Sequence, residues 1–201
     1  RSFGATTLRN RHARVSGGKL RISYPGKHGI KRTVTVTDRN LVRIARRTQD
    51  LPGQHLFEYV DEEGETCRVT SSDVNAYIRE ATGEEFTAKD FRTWGATVIA
   101  FEAMAKRARG KERVHLKSVI EEVAEALGNT AAISRKSYVH PAVIAAAKDA
   151  GALGRTALPR ATKYLSAAER GLIEFLQSLG RKRRRGRNDG GSEVESGYIG
   201  G

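Results

Sequence analysis

The chain has 201 residues, with 36 Lys and Arg against 23 Asp and Glu, a formal charge of +13. Its 38% hydrophobic and 29% charged residues suffice for a core under a heavily charged surface, which excludes a wholly disordered or collagen-like chain and suits one domain, or one plus a tail. No stretch approaches the roughly 20 apolar residues of a membrane span, no apolar run follows the N-terminus as a secretory signal would, and the lone Cys67 excludes an intramolecular disulfide or a multi-cysteine zinc site.

A soluble protein in a reducing, cytoplasmic setting is therefore expected. The opening residue, Arg1, is not Met, which predicts a fragment or processed chain.

Residues 1–32 carry nine cations and no Asp or Glu. Acids are normally interspersed on a merely solvated basic face, so a polyanion, nucleic acid, is the expected partner. Within this region the pattern predicts an antiparallel meander: His12 to Val15, a Ser16-Gly17-Gly18 turn, alternation over Lys19 to Tyr24, then Lys31 to Thr37 with Val34 and Val36 on one face. Lys27 falls in the Pro25-Gly26-Lys27-His28-Gly29 turn, at the hairpin tip.

From Asp38 the period becomes helical. Leu41, Ile44 and Ala45 mark a helix ending before Leu51-Pro52-Gly53, and a short extended piece, His55 to Val60, follows. A helix from near Ser72 to before Gly83 is expected to turn Val74, Tyr77 and Ile78 inward. Thr87-Ala88-Lys89-Asp90 resembles a capping box and opens a long helix with Phe91, Trp94, Val98 and Phe101 as its inner stripe, placing Lys89 and Arg92 on the opposite face. The next helix carries Leu116, Val119, Ile120, Val123 and Leu127 and stops at Gly128. Another begins after Thr130 and breaks before Pro141, and a last one is capped by Ser166 with Glu169 three residues on. The expected fold is α+β and mostly α-helical: a basic β-meander over 1–37, a helical core over 38–179, and a basic, Gly-rich disordered tail over 180–201.

Metal and nucleotide sites find no support. The histidines at 12, 28, 55, 115 and 140 lack the spacing of a helical zinc site, and no Gly-rich loop has the phosphate-cradling pattern, so no ATP and no obligatory metal is expected. What remains is an anionic partner, many cations and six tyrosines. A tyrosine can attack a phosphodiester, but at its ordinary pKa only about one phenolate in a thousand exists at pH 7, so cations around the phosphate must lower the barrier.

The segments Lys89-Asp90-Phe91-Arg92-Thr93-Trp94, Leu127-Gly128-Asn129-Thr130 and Ile133-Ser134-Arg135-Lys136-Ser137-Tyr138 resemble, in order and spacing, the catalytic domain of type IB DNA topoisomerases of the bacterial and poxvirus kind. The Gly4-Ala5-Thr6-Thr7-Leu8 opening and the Gly26-Lys27 tip extend the resemblance over about Ser2 to Ala150.

The resemblance implies a catalytic domain of the type IB topoisomerase and tyrosine recombinase kind. It makes Tyr138 the nucleophile that becomes linked to a DNA 3′-phosphate, Lys27 the acid that protonates the leaving 5′-oxygen, and Arg92 the clamp on a non-bridging oxygen. Asn129 stands where many relatives have histidine, and either side chain can donate to a phosphate oxygen. The family uses a further arginine before the Gly4 motif, upstream of Arg1. Lys89, Arg9, Arg11, Arg14, Arg135 and Lys136 are expected to contact duplex DNA, with a monomeric protein associated with a bacterial nucleoid. Two alternatives stay open: a tyrosine recombinase, which typically carries histidine where Lys89 stands, and a basic DNA-binding module without catalysis.

Overall fold

The computed structural model describes residues 3–26, 29–148, 153 and 158–188. The chain forms two compact units, Arg1–Phe91 and Arg92–Gly201.

In the first unit, strands β1 (Ala13–Ser16), β2 (Lys19–Pro25) and β3 (Lys31–Val36) form an antiparallel sheet in chain order. Gly17 and Gly18, at φ 55° and 72°, supply the two left-handed residues that a tight β1–β2 turn demands. Strand alternation then sorts the side chains. Ala13, Leu20 and Ile22 face the core, where they meet Leu8, Leu56, and Val42 and Ala45 of helix α1 (Arg39–Gln49). The Asp38 carboxylate caps α1, accepting from the Asn40 and Leu41 amides at 2.9 Å each. Gln49 at its far end donates to the Ala13 carbonyl at 3.2 Å, tying helix to sheet. A two-stranded ribbon, β4 (Glu58–Val60) and β5 (Thr66–Arg68), precedes helix α2 (Ser71–Thr82), which is capped reciprocally by Thr70 and Asp73 and closed by left-handed Gly83.

One inward-facing expectation is corrected here, that for Tyr77. Leu41 and Ile44 are about half exposed, while Val42 and Ala45 are buried. Tyr77 is 70% exposed, and α2 buries no residue fully. Val34 is also about half exposed. Tyr77, expected to face inward, stays outside, because this unit has too little interior to cover every large apolar side chain.

Helix α3 (Ala88–Arg109) starts in the first unit and supplies the spine of the second. Asn75 accepts from its first amide, and the Asp90 carboxylate accepts from the Thr87 amide and hydroxyl at 2.9 and 2.7 Å. These hydrogen bonds hold the Asp90 carboxyl below its ordinary range, the Thr87 hydroxyl contributing most. The buried face of α3 is Ala96, Thr97, Ala100, Phe101, Met104 and Ala105. Phe91 is instead 59% exposed, and the exposed Lys89 and Arg92 lie in line with Ala96 and Ala100 rather than opposite the buried residues, because 89, 92, 96 and 100 recur at helical spacing. The expected inner stripe is corrected to that extent.

Helices α4 (Leu116–Leu127), α5 (Ala131–Ser137), α6 (Pro141–Ala146) and α7 (Ala167–Asn188) complete the unit. Phe101 and Phe175 pack at 5.6 Å between ring centroids within a core that also takes Val119, Val123, Val143 and Leu172. Gly171 permits this approach: a Cβ there would lie 2.8 Å from Leu158 and 3.2 Å from Phe101. Ser166 and Glu169 cap α7 as expected. The helix then continues through Asn188, where composition predicts a tail from residue 180. Lys and Arg are good helix formers, and a helix already nucleated propagates through them without needing an apolar stripe. The remainder of that predicted tail lies outside the described residues.

Candidate active site

Three of the four predicted catalytic residues lie in the second unit and are brought together by the ends of three helices. Arg92 sits at the start of α3. Its Nη2 donates to the Leu127 carbonyl at 2.6 Å, one of the carbonyls that the C-terminus of α4 leaves without an intrahelical partner. The same guanidinium lies over the Tyr138 ring, with its carbon 5.3 Å from the centroid. One of five guanidinium N–H groups is thus spent on the scaffold, and the others have no hydrogen-bond partner among the described residues.

Asn129 is placed by the way α4 ends. Gly128 turns left-handed at φ 66°, and the Asn129 amide folds back to the Ala124 carbonyl at 2.9 Å. Its side-chain Nδ2 is enclosed and has no hydrogen-bond partner among the described residues. A buried amide donor left unpaired costs stability, and such a group is a candidate for a substrate acceptor oxygen.

Tyr138 is the C-cap of α5 and is half-buried. Its amide donates to the Ser134 carbonyl at 3.1 Å. Its own carbonyl accepts from the Thr97 hydroxyl at 3.2 Å. Thr97 is a residue the sequence reading passed over, since a threonine among alanines on an apolar face reads as filler. Trp94 was read only as core, yet its indole also donates to Glu169 at 3.2 Å, joining α3 to the cap of α7.

The fourth residue, Lys27, lies outside the described residues. Of its described neighbours, the Gly26 amide donates to the Ile30 carbonyl at 2.8 Å. The other predicted DNA contacts divide. Arg14 is exposed on β1 directly opposite Arg21 of β2. Like charges so paired repel, and with Lys19, Lys31, Ser16, Ser23, Thr33 and Thr35 they make one sheet face polar except for Pro25 and without an acid. Arg9 is half-buried and donates to Gln54 at 2.8 Å, while Arg11 is exposed with only a 3.5 Å approach to His12. Arg135 and Lys136 are exposed in the last turn of α5, beside Tyr138 in the chain, and Lys89 is exposed one turn before Arg92. Among the described residues no group of three or more His, Cys, Asp or Glu is placed to hold a metal ion, and no helix is long and apolar enough to cross a membrane.

Comparison with known proteins shows the family. The family model described as "Eukaryotic DNA topoisomerase I, catalytic core" matches residues 1–163. The chain is 33% identical over 150 residues to a protein of Acanthamoeba polyphaga mimivirus named "DNA topoisomerase 1B". That match takes in 69% of this chain and 45% of the relative, so the chain spans about half the relative's length. With its order of motifs, its sheet-then-helices architecture and its arginine set against a tyrosine, the chain belongs to the type IB DNA topoisomerase family, as part of the catalytic core.

Proposed function

We propose that this chain nicks and religates one strand of duplex DNA and so relaxes supercoils without ATP. The Tyr138 hydroxyl oxygen attacks a backbone phosphorus. A 3′-phosphotyrosyl bond forms as the bond from phosphorus to the 5′-oxygen breaks, and the phenolic proton is lost to solvent. Lys27 gives a proton to the departing 5′-oxygen. After the cut strand has rotated about the intact one, the 5′-hydroxyl attacks the same phosphorus and Tyr138 leaves. One phosphodiester is exchanged for another in each direction, so the cycle needs no energy source.

The observation that carries this reading is the Arg92 guanidinium held over the Tyr138 ring by the end of α4, two residues before the unpartnered amide of Asn129. Phosphoryl transfer spreads negative charge over the equatorial oxygens, so fixed donors do most of the work. Arg92 would grip two non-bridging oxygens with the N–H groups not used on Leu127, and Asn129 would donate to one of them. The acid-free face of the sheet supports binding to the phosphate backbone, which needs cations but no base contacts.

The test is relaxation of supercoiled plasmid in EDTA without ATP. Conversion to relaxed topoisomers by the wild-type chain and not by Tyr138→Phe is expected. Equal relaxation by both proteins would refute the assignment.

A further inference from the structure

We propose that Thr97 is a positioning residue for Tyr138: one buried hydroxyl on α3 pins the backbone on both sides of Val139 and thereby sets where the phenol stands. The proposal rests on the reading of Tyr138 as nucleophile.

Between α5 and α6 the chain passes through Tyr138, Val139 and His140, which belong to neither helix. Four of the six backbone groups in this break are bonded to Ser134 and Thr97. The Tyr138 and Val139 amides both donate to the Ser134 carbonyl, at 3.1 and 3.2 Å. The other two groups, the Tyr138 carbonyl and the His140 amide, meet Thr97. Its Oγ1 accepts from the His140 amide at 3.1 Å and lies 3.2 Å from the Tyr138 carbonyl, one of two acceptors within reach of its proton. The hydroxyl has a single proton, and the Thr93 carbonyl at 2.8 Å, within α3 itself, is the competing acceptor. Any helical threonine can bond back within its own helix. The contacts to residues 41 and 43 positions away are what local structure does not supply.

Burial gives these bonds weight. Thr97 is 3% exposed, and Val139 and Val143 are buried beside the segment, so the hydroxyl itself is sheltered from water. Geometry gives them a purpose. Arg92 and Thr97 are five residues apart on one helix, a rise of about 7.5 Å. The same rigid element therefore fixes the guanidinium over the tyrosine ring and the backbone from which that ring projects. A small error in placing a nucleophile is expensive: a misplacement of about 1 Å can cost on the order of a hundredfold in rate.

Thr97→Val removes the hydroxyl and keeps the branched shape, whereas Thr97→Ser keeps the hydroxyl. Adduct formation with a nicked suicide DNA at saturating protein, the DNA Kd, and amide exchange at His140 by NMR are compared across the three proteins. We expect Thr97→Val to bind DNA as the wild type does, to form the adduct about tenfold more slowly or worse, and to exchange its His140 amide faster, with Thr97→Ser near wild type in all three. Wild-type adduct rates from the folded fraction of Thr97→Val would overturn the proposal, as would a serine variant no better than valine. Absence of any adduct from the wild type would refute the reading of Tyr138. The exchange measurement then stands alone: faster His140 exchange in Thr97→Val supports the clamp, and unchanged exchange overturns it.

Discussion

The Arg92 guanidinium holds two positions at once, 2.6 Å from the Leu127 carbonyl and 5.3 Å from the centroid of the Tyr138 ring. The carbonyl aims the group and leaves its remaining N–H donors unspent. Lysine offers a point charge on a flexible stem and cannot reproduce this planar, shared geometry. Arg92→Lys and Arg92→Ala should both slow single-turnover cleavage at saturating DNA by on the order of a hundredfold or more. A lysine variant that cleaves at the wild-type rate would show that only charge matters there.

Asn129 should show activity and stability moving in opposite directions. Its Nδ2 is buried without a partner among the described residues, so Asn129→Ala removes an unsatisfied donor and should leave stability to urea unchanged or raise it by up to about 1 kcal/mol. Adduct formation should fall roughly tenfold to a hundredfold through loss of a donor to the phosphate. Asn129→His, which can still donate, should keep most of the activity. Urea unfolding of each variant, paired with its cleavage rate, checks both halves.

The facing pair Arg14 and Arg21 predicts how binding responds to salt. Each phosphate neutralised contributes about −0.9 to the slope of log K against log salt, so replacing both arginines with alanine should flatten that slope by about 1.8. Relief of cross-strand repulsion should stabilise the free protein by a few tenths of a kcal/mol. A slope that does not change would remove this sheet face from the DNA surface.

Glu169 makes α7 sensitive to acid. Its carboxyl is held below the ordinary range first by the Ser166 amide, then by the Ser166 hydroxyl and the Trp94 indole. A depressed carboxylate contributes stability that is present above its unfolded pKa and lost as pH falls through the folded one. Stability of the wild type should therefore decline below about pH 4.3 more steeply than that of Glu169→Gln. Trp94 is the sole tryptophan and bonds to this carboxylate, so its fluorescence during urea unfolding at pH 7 and at lower pH reports the difference.

Much of the scaffold was legible in the sequence because local chemistry decides it. The Gly17-Gly18 turn, the stop at Gly128, the break before Pro141 and the Ser166–Glu169 cap all depend on residues within a few positions of each other. Tyr138, Arg92 and Asn129 were legible as an ordered set of motifs. The facing directions of helices were less so, since Phe91 and Tyr77 are large and apolar yet exposed, and only tertiary packing decides which side of a helix is covered. Thr97 was illegible for a related reason: two of its partners lie more than 40 positions away, and a hydroxyl on an apolar face gives no sign of them. The bond from Arg92 to Leu127, 35 positions away, was hidden in the same way.

The most direct test of the central claim is a nicked suicide DNA incubated with the protein, followed by denaturing electrophoresis and mass spectrometry of the DNA-linked peptide. The account predicts a denaturant-resistant adduct joining the Tyr138 oxygen to a 3′-phosphate, absent from Tyr138→Phe even though that variant binds DNA as tightly. An adduct that persists in Tyr138→Phe, or one mapped to another residue or to a 5′-phosphate, would contradict it.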